Sequence, residues 1–116
     1  MILVEPGRKE LRVYEDARGV RPLETWLLGL KDVRGRAVIR TRIARFSLGN
    51  SGDSKTVGDG VYEARIDCGP GYRIYYAQEG KVVVVLLCGG DKGSQRRDIE
   101  LAKRYLADYR RLIEDA

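Results

Sequence analysis

Val61-Tyr62-Glu63-Ala64-Arg65-Ile66-Asp67-Cys68-Gly69-Pro70-Gly71-Tyr72-Arg73-Ile74-Tyr75-Tyr76-Ala77 is the stretch that decides the fold. Tyr62, Ala64 and Ile66 alternate with Glu63, Arg65 and Asp67, the period of two expected of a half-buried strand. Cys68-Gly69-Pro70-Gly71 breaks it, and Tyr72, Ile74 and Tyr76 then alternate with Arg73, Tyr75 and Ala77 in a second strand. If the first set of each strand packs inward, Glu63, Arg65, Arg73 and Tyr75 share the opposite face. Lys55 before these strands and Lys92 after the next one flank that surface. Arginine binds phosphate through two planar hydrogen bonds and tyrosine stacks on a base, so the mixture suits RNA. The plainer alternative is cross-strand pairing of Arg65 with its acidic neighbours and a solvated Arg73.

Outward from this hairpin the remaining elements follow. Val82–Cys88 is apolar at every position, as expected of a strand covered on both faces. Glu79-Gly80 is expected to be its two-residue hairpin turn, and Gly89-Gly90 its end. A last helix is expected from about Ser94, with Ile99, Ala102, Leu106, Tyr109 and Ile113 on one face. Upstream, Pro22 suits the first turn of a helix carrying Leu23, Trp26, Leu27 and Leu30. Asp32 is an N-cap candidate for a second helix with an Ile39, Ile43, Phe46 stripe, stopped by Gly49-Asn50-Ser51-Gly52-Asp53. Lys9–Glu15 reads as a first strand and the segment after Asp53 as a loop. The order is β-αα-βββ-α in one α+β domain over residues 1–116, with a mostly antiparallel sheet packed by an α-hairpin and a C-terminal helix. These patterns leave the strand order open.

Composition narrows the chemistry. The 116 residues carry 22 Lys and Arg against 17 Asp and Glu, a net charge of +5. Lys31, Arg34, Arg36, Arg40, Arg42 and Arg45 face only Asp32 as acid, so one helix holds the whole excess. A concentrated basic element suits a polyanion or an acidic protein, though a solvated helix face reads the same way. The chain has no histidine, which removes the commonest metal ligand and the commonest general base near neutral pH. No metal and no cofactor is expected. Cys68 and Cys88 lack metal or redox spacing and read as free thiols. No apolar run is long enough for a membrane span, and Met1-Ile2-Leu3-Val4 is too short for a signal peptide, so a cytoplasmic location is expected. Gly90-Asp91-Lys92-Gly93-Ser94 lacks the spacing of a nucleotide-binding loop, but the helix start at Ser94 and Gln95 could receive one phosphate.

Several segments carry a resemblance. Gly49-Asn50-x-Gly52-Asp53-x-Lys55-x-Val57-Gly58-x-Gly60-Val61-x-Glu63-x-Arg65-Ile66, Gly69-Pro70-Gly71-Tyr72-Arg73-Ile74-Tyr75-Tyr76 and Leu86-Leu87-x-Gly89-Gly90-Asp91-Lys92-x-Ser94-Gln95-x-x-Asp98-Ile99 resemble the addiction-module killer proteins. These form a HigB-like branch of the RelE/ParE toxin superfamily. Trp26-Leu27, Leu30-Lys31-Asp32 and Arg42-Ile43-x-Arg45 are similar too, so the match runs from about Trp26 to Lys103. The resemblance implies a RelE-like domain and the toxin of a type II toxin–antitoxin system. It further implies a ribosome-dependent, metal-independent cleavage of mRNA by attack of a ribose 2′-OH on the adjacent phosphate.

Carried over singly, Arg73 holds the phosphate, Arg65 lies at a basic active-site position, and Lys92 stands where RelE has an arginine proposed as general acid. Glu63 is a fourth catalytic candidate. Lys55, Tyr75, Ser94 and Gln95 are candidates for contact with RNA or phosphate. Arg36, Arg40, Arg42 and Arg45 are candidates for docking a cognate antitoxin with a helix-turn-helix, through which any DNA contact would run. The sequence departs from RelE at Glu63, where that toxin has lysine, and at Asp98, where it has tyrosine. Arginine stays protonated, so proton transfer falls to Glu63, Asp91, Asp98, Lys92 or a tyrosine. Two alternatives stay open: a non-catalytic toxin that blocks a target such as DNA gyrase, and a non-toxic RNA- or partner-binding module.

Overall fold

Alternation along the strands, with one helix layer on each side, builds the molecule that the computed structural model describes over residues 7–115. The Met1–Val4 run lies outside those residues. The elements are β1 (Glu10–Val13), α1 (Pro22–Gly29), α2 (Val33–Ser47), β2 (Ser54–Gly58), β3 (Val61–Ile66), β4 (Tyr72–Glu79), β5 (Val83–Asp91) and α3 (Gln95–Glu114), with a 3₁₀ turn at Lys92–Ser94. The five strands lie in the order β1-β5-β4-β3-β2, and every neighbouring pair is antiparallel except the parallel β1–β5 pair. The protein is therefore a single α+β domain with a mostly antiparallel sheet.

The two side-chain sets of each strand build two cores. Tyr72, Ile74 and Tyr76 of β4 join Ala64, Ile66, Val84 and Leu86 under the α1–α2 hairpin, which contributes Leu23, Leu27, Ile39 and Phe46. Tyr75 and Ala77 join Val61, Val85, Leu87 and Cys88 on the other face, under Ala102 and Leu106 of α3. Pro22 opens α1, and the Asp32 carboxylate caps α2 by accepting from the Gly35 N–H at 2.9 Å. The expected apolar stripes of α2 and α3 face these cores, except that Ile113 is half exposed near the end of α3. Both thiols are free, Cys68 half-buried and Cys88 buried.

Three expectations need correction. The segment after Asp53 is a strand, because Gly58 pairs with Val61 around the two-residue turn Asp59-Gly60. Both turn residues have positive φ, 54° and 83°, and Asp-Gly is the sequence pair favoured in such a hairpin turn. The element order thus gains a strand, β-αα-ββββ-α. Glu79 pairs with Val83, so the β4–β5 turn has three residues, Gly80 to Val82, and not two. Gly89-Gly90 does not end β5, which continues to Asp91. These glycines permit close approach from both sides: a Cβ on Gly89 would strike the Trp26 ring, and one on Gly90 the Asp98 carboxylate. Between Tyr75↔Cys88 and Tyr76↔Leu86 the register skips Leu87, a bulge that turns Leu87 and Cys88 into the same core.

Candidate functional site

The register sets the site. Lys55, Glu63, Tyr75 and Cys88 form one row across β2 to β5, and Arg65, Arg73 and Gly90 the next. Both rows lie on the α3 side. Two arginines directly opposite each other repel and need a compensating charge. Glu63 supplies it. Its Oε1 lies 3.3 Å from Arg65 Nε and 3.5 Å from Arg73 Nε. Its Oε2 accepts from Tyr75 Oη at 3.0 Å and from Gln95 Nε2 at 2.8 Å. Glu63 is completely buried. Burial alone pushes its carboxyl upward, but hydrogen bonds from Gln95, Tyr75 and Arg65, with the charge of Arg73, hold it below the usual carboxylate range. Tyr75 moves the other way: burial, then the Glu63 charge, raises its phenol.

The arrangement changes the roles expected of these residues. Tyr75 lies on the expected face, but α3 covers that face and leaves the ring 0% exposed, so it is not a stacking platform. Glu63 is equally inaccessible, its carboxyl is held toward the ionised form, and it pairs with both arginines. Gln95 is spent on Glu63. Ser94 is committed as well, since its N–H and hydroxyl form a capping box with Asp91 and its Oγ donates to Asp98. Ser94 is thus engaged with the protein's own carboxylates, Asp91 and Asp98, where contact with a phosphate was expected.

Arg65 and Arg73 remain available in part. The Arg65 side chain is 44% exposed. Arg73 is almost buried, with Nη1 donating to Gly71 O at 3.2 Å, while Nε is buried without a hydrogen bond. The two guanidiniums line a cleft of about 450 Å³ together with Arg42, Asp53, Asp67 and Gly71. Lys92 is exposed and its stem lies beside Arg73 across Gly71. Lys55 is exposed on the edge strand opposite Glu63.

The basic helix does not act as one face. Arg42 donates to three backbone carbonyls, Arg65 O at 2.7 Å, Ser51 O at 2.9 Å and Asp53 O at 3.0 Å, and so walls the cleft. Arg36 donates to Leu30 O at 3.2 Å, closing the helix hairpin. Arg40 borders an apolar groove with Leu23, Leu27 and Ile43, and Arg45 is exposed near the far end of α2. Asp53, Asp67 and Gly71 were not singled out as site residues from the sequence because their loops meet β3 and α2 only in the fold. Among the described residues no cluster of His, Cys, Asp or Glu could hold a metal, and no helix is long and apolar enough to cross a membrane.

Fold and site together define a small α+β protein with a cleft lined by arginines and aspartates, two of the arginines paired with a buried carboxylate. The chain belongs to the family of an uncharacterized protein of Haemophilus influenzae, with which it is 51% identical over 80 residues, 69% of this chain and 81% of that one. No protein-family model matches the sequence.

Proposed function

We propose that this chain is the toxin of a type II toxin–antitoxin system, RelE-like in fold, and that it cleaves mRNA on the ribosome without a metal. The observation that carries the reading is the pair of opposed arginines, Arg65 and Arg73, which line one cleft and pair with a buried Glu63. Preorganised cations of this kind stabilise charge that develops on a phosphate, the largest single contribution in many such sites. In the reaction the 2′-oxygen loses its proton to solvent and bonds to phosphorus while the bond to the 5′-oxygen breaks. In this reading Lys92 protonates that leaving oxygen. Glu63 and Tyr75 act only through the arginines. A cytoplasmic location and an antitoxin with a helix-turn-helix belong to the same reading.

The test is purified protein in a translating extract, with primer extension across the message. Cuts at codon positions are expected, and Arg73→Ala should lower their rate by about 10²-fold or more, the scale of one lost oxyanion contact. Normal cutting by that variant, or intact mRNA with wild-type protein, would sink the nuclease reading. One observation favours a second reading, a non-catalytic toxin that blocks a target such as DNA gyrase. Glu63 and Tyr75, which share the arginines' face of the sheet, are bonded to each other and closed to solvent. A supercoiling assay in which gyrase is undisturbed removes that version.

A further inference from the structure

The outer ridge of α2 differs from the sides that meet the sheet. Val33, Ala37, Thr41, Ala44 and Leu48 recur at spacings of three and four residues, so they line up along the helix and its C-cap for about 22 Å. All five are exposed, Val33 by 68% and Leu48 by 56%. The Thr41 hydroxyl donates to Ala37 O at 3.1 Å and is satisfied within the helix. Covering the ridge therefore desolvates little polar surface, and its small middle residues let a second backbone approach closely. A contiguous apolar strip of this kind marks an interaction surface.

Cations flank the strip on both sides. Arg40 stands on the side of the α1 groove, and Arg45 on the side of β3 with Arg34 three turns before it. All three are exposed, and none has a hydrogen bond or ion pair among the described residues. The nearby acids do not cancel them. Asp32 attracts Arg34, but its carboxylate already accepts from the Gly35 N–H and from Tyr72 Oη. Glu24 is paired with Arg21 at 3.4 Å, which leaves Asp67 beside Arg45.

Charge and shape select the occupant. A second copy of this chain would set arginine against arginine, because the ridge itself carries no acid. A nucleic acid would lay phosphates over the strip and give Val33 and Leu48 no apolar partner. A helix with an apolar seam and acids along both flanks satisfies the strip and the cations together, as charged flanking positions do in a coiled coil.

We infer that the outer ridge of α2 seats an acidic amphipathic helix of a partner protein. The inference goes beyond the reading of the cleft and holds whether or not the cleft cuts RNA. Of the four arginines expected to dock a partner it keeps Arg40 and Arg45 and adds Arg34. It omits Arg36 and Arg42, which bond the chain's own carbonyls.

The probe is a synthetic peptide of about three heptads with leucine at a and d and glutamate at e and g, whose own charges keep it from pairing with itself. Its fluorescence anisotropy with the full chain should show saturable binding that weakens with salt. A peptide with lysine at e and g, and a scrambled acidic peptide of the same composition, should each bind at least about tenfold more weakly. Arg40→Glu combined with Arg45→Glu should weaken the acidic peptide by about tenfold or more and bind the lysine peptide instead. Its melting temperature should stay within about 2 °C of wild type, since both side chains are exposed. Ala44→Glu, in the middle of the strip, should also weaken the acidic peptide. No binding of that peptide by wild type, equal binding of the scrambled one, or no loss in the charge-reversed variant overturns the inference. Octauridylate binding that the reversal abolishes, with no acidic-peptide binding, makes the ridge a nucleic-acid surface instead. A dimer of the chain alone that Ala44→Glu dissociates gives the ridge to a second copy. The two claims separate cleanly, because message cutting depends on Arg73 and peptide binding on Arg40 and Arg45.

Discussion

Glu63→Gln is the perturbation that tests the site most directly. The substitution keeps the shape and removes the charge that lets Arg65 and Arg73 stand opposite each other. Arg65 is 44% exposed, so solvent screens its share and that pair contributes little. The buried share is larger: the Arg73 side chain is 11% exposed, and Tyr75 and Gln95 both donate to the carboxylate. A glutamine has one acceptor oxygen for these donors and turns an amide N–H₂ toward the others. Removing one partner from a buried charge pair costs about 3–5 kcal/mol, a range that already includes the unpaired arginine. At about 4 °C per kcal/mol for a domain of this size, the melting temperature should fall by about 12–20 °C.

The pH dependence gives an independent reading. The folded carboxyl is held below its unfolded value, so its contribution is complete above the unfolded pKa of about 4.3 and is lost as pH falls through the lower folded value. Thermal melts by circular dichroism should therefore show a wide gap between wild type and variant near about pH 7 that narrows toward about pH 3. A gap under about 4 °C at neutral pH, or one that stays constant into acid, would refute the account of Glu63 as the charge that holds the two arginines.

Three further outcomes follow from particular contacts. Tyr75→Phe should lower stability by about 1.5–3 kcal/mol, because a buried hydrogen bond to a charged acceptor is lost, and should leave oligonucleotide binding unchanged; weaker binding with unaltered stability would mean the ring does reach RNA. Gly89→Ala should destabilise by about 1–3 kcal/mol in chemical denaturation, since the new methyl group meets the Trp26 ring, and a midpoint equal to wild type would contradict that packing. Burial pushes the Cys88 thiol up to about 12, so a thiol reagent should modify half-buried Cys68 in the native protein and Cys88 only on unfolding. Native modification of both at equal rates would place Cys88 nearer the surface.

Local signals made much of the fold legible. The alternation of Tyr72, Ile74 and Tyr76 with Arg73, Tyr75 and Ala77 assigns side chains to two faces because successive residues of a strand must point opposite ways. Asp32 caps α2 and Pro22 opens α1 through chemistry that spans only a few residues. The Asp59-Gly60 pair was an equally local signal, and β2 was missed because Ser54–Gly58 is too exposed to carry an apolar pattern. Gly89-Gly90 misled for the opposite reason: a glycine that ends a strand and one that admits a neighbour look alike until the neighbour is known.

The sequence by itself determined which residues share a face: Glu63, Arg65, Arg73 and Tyr75 stand together on the α3 side, as alternation requires. Only the tertiary structure decided which of them meet solvent. That depends on where α3 lies, and α3 crosses Glu63 and Tyr75 while leaving Arg65 partly open. The same holds for α2, whose arginines look alike in the sequence. One bonds backbone carbonyls, one closes a hairpin and one stands free at the end of a groove. Periodicity is a property of one segment, whereas exposure is set by whatever packs against it from elsewhere in the chain.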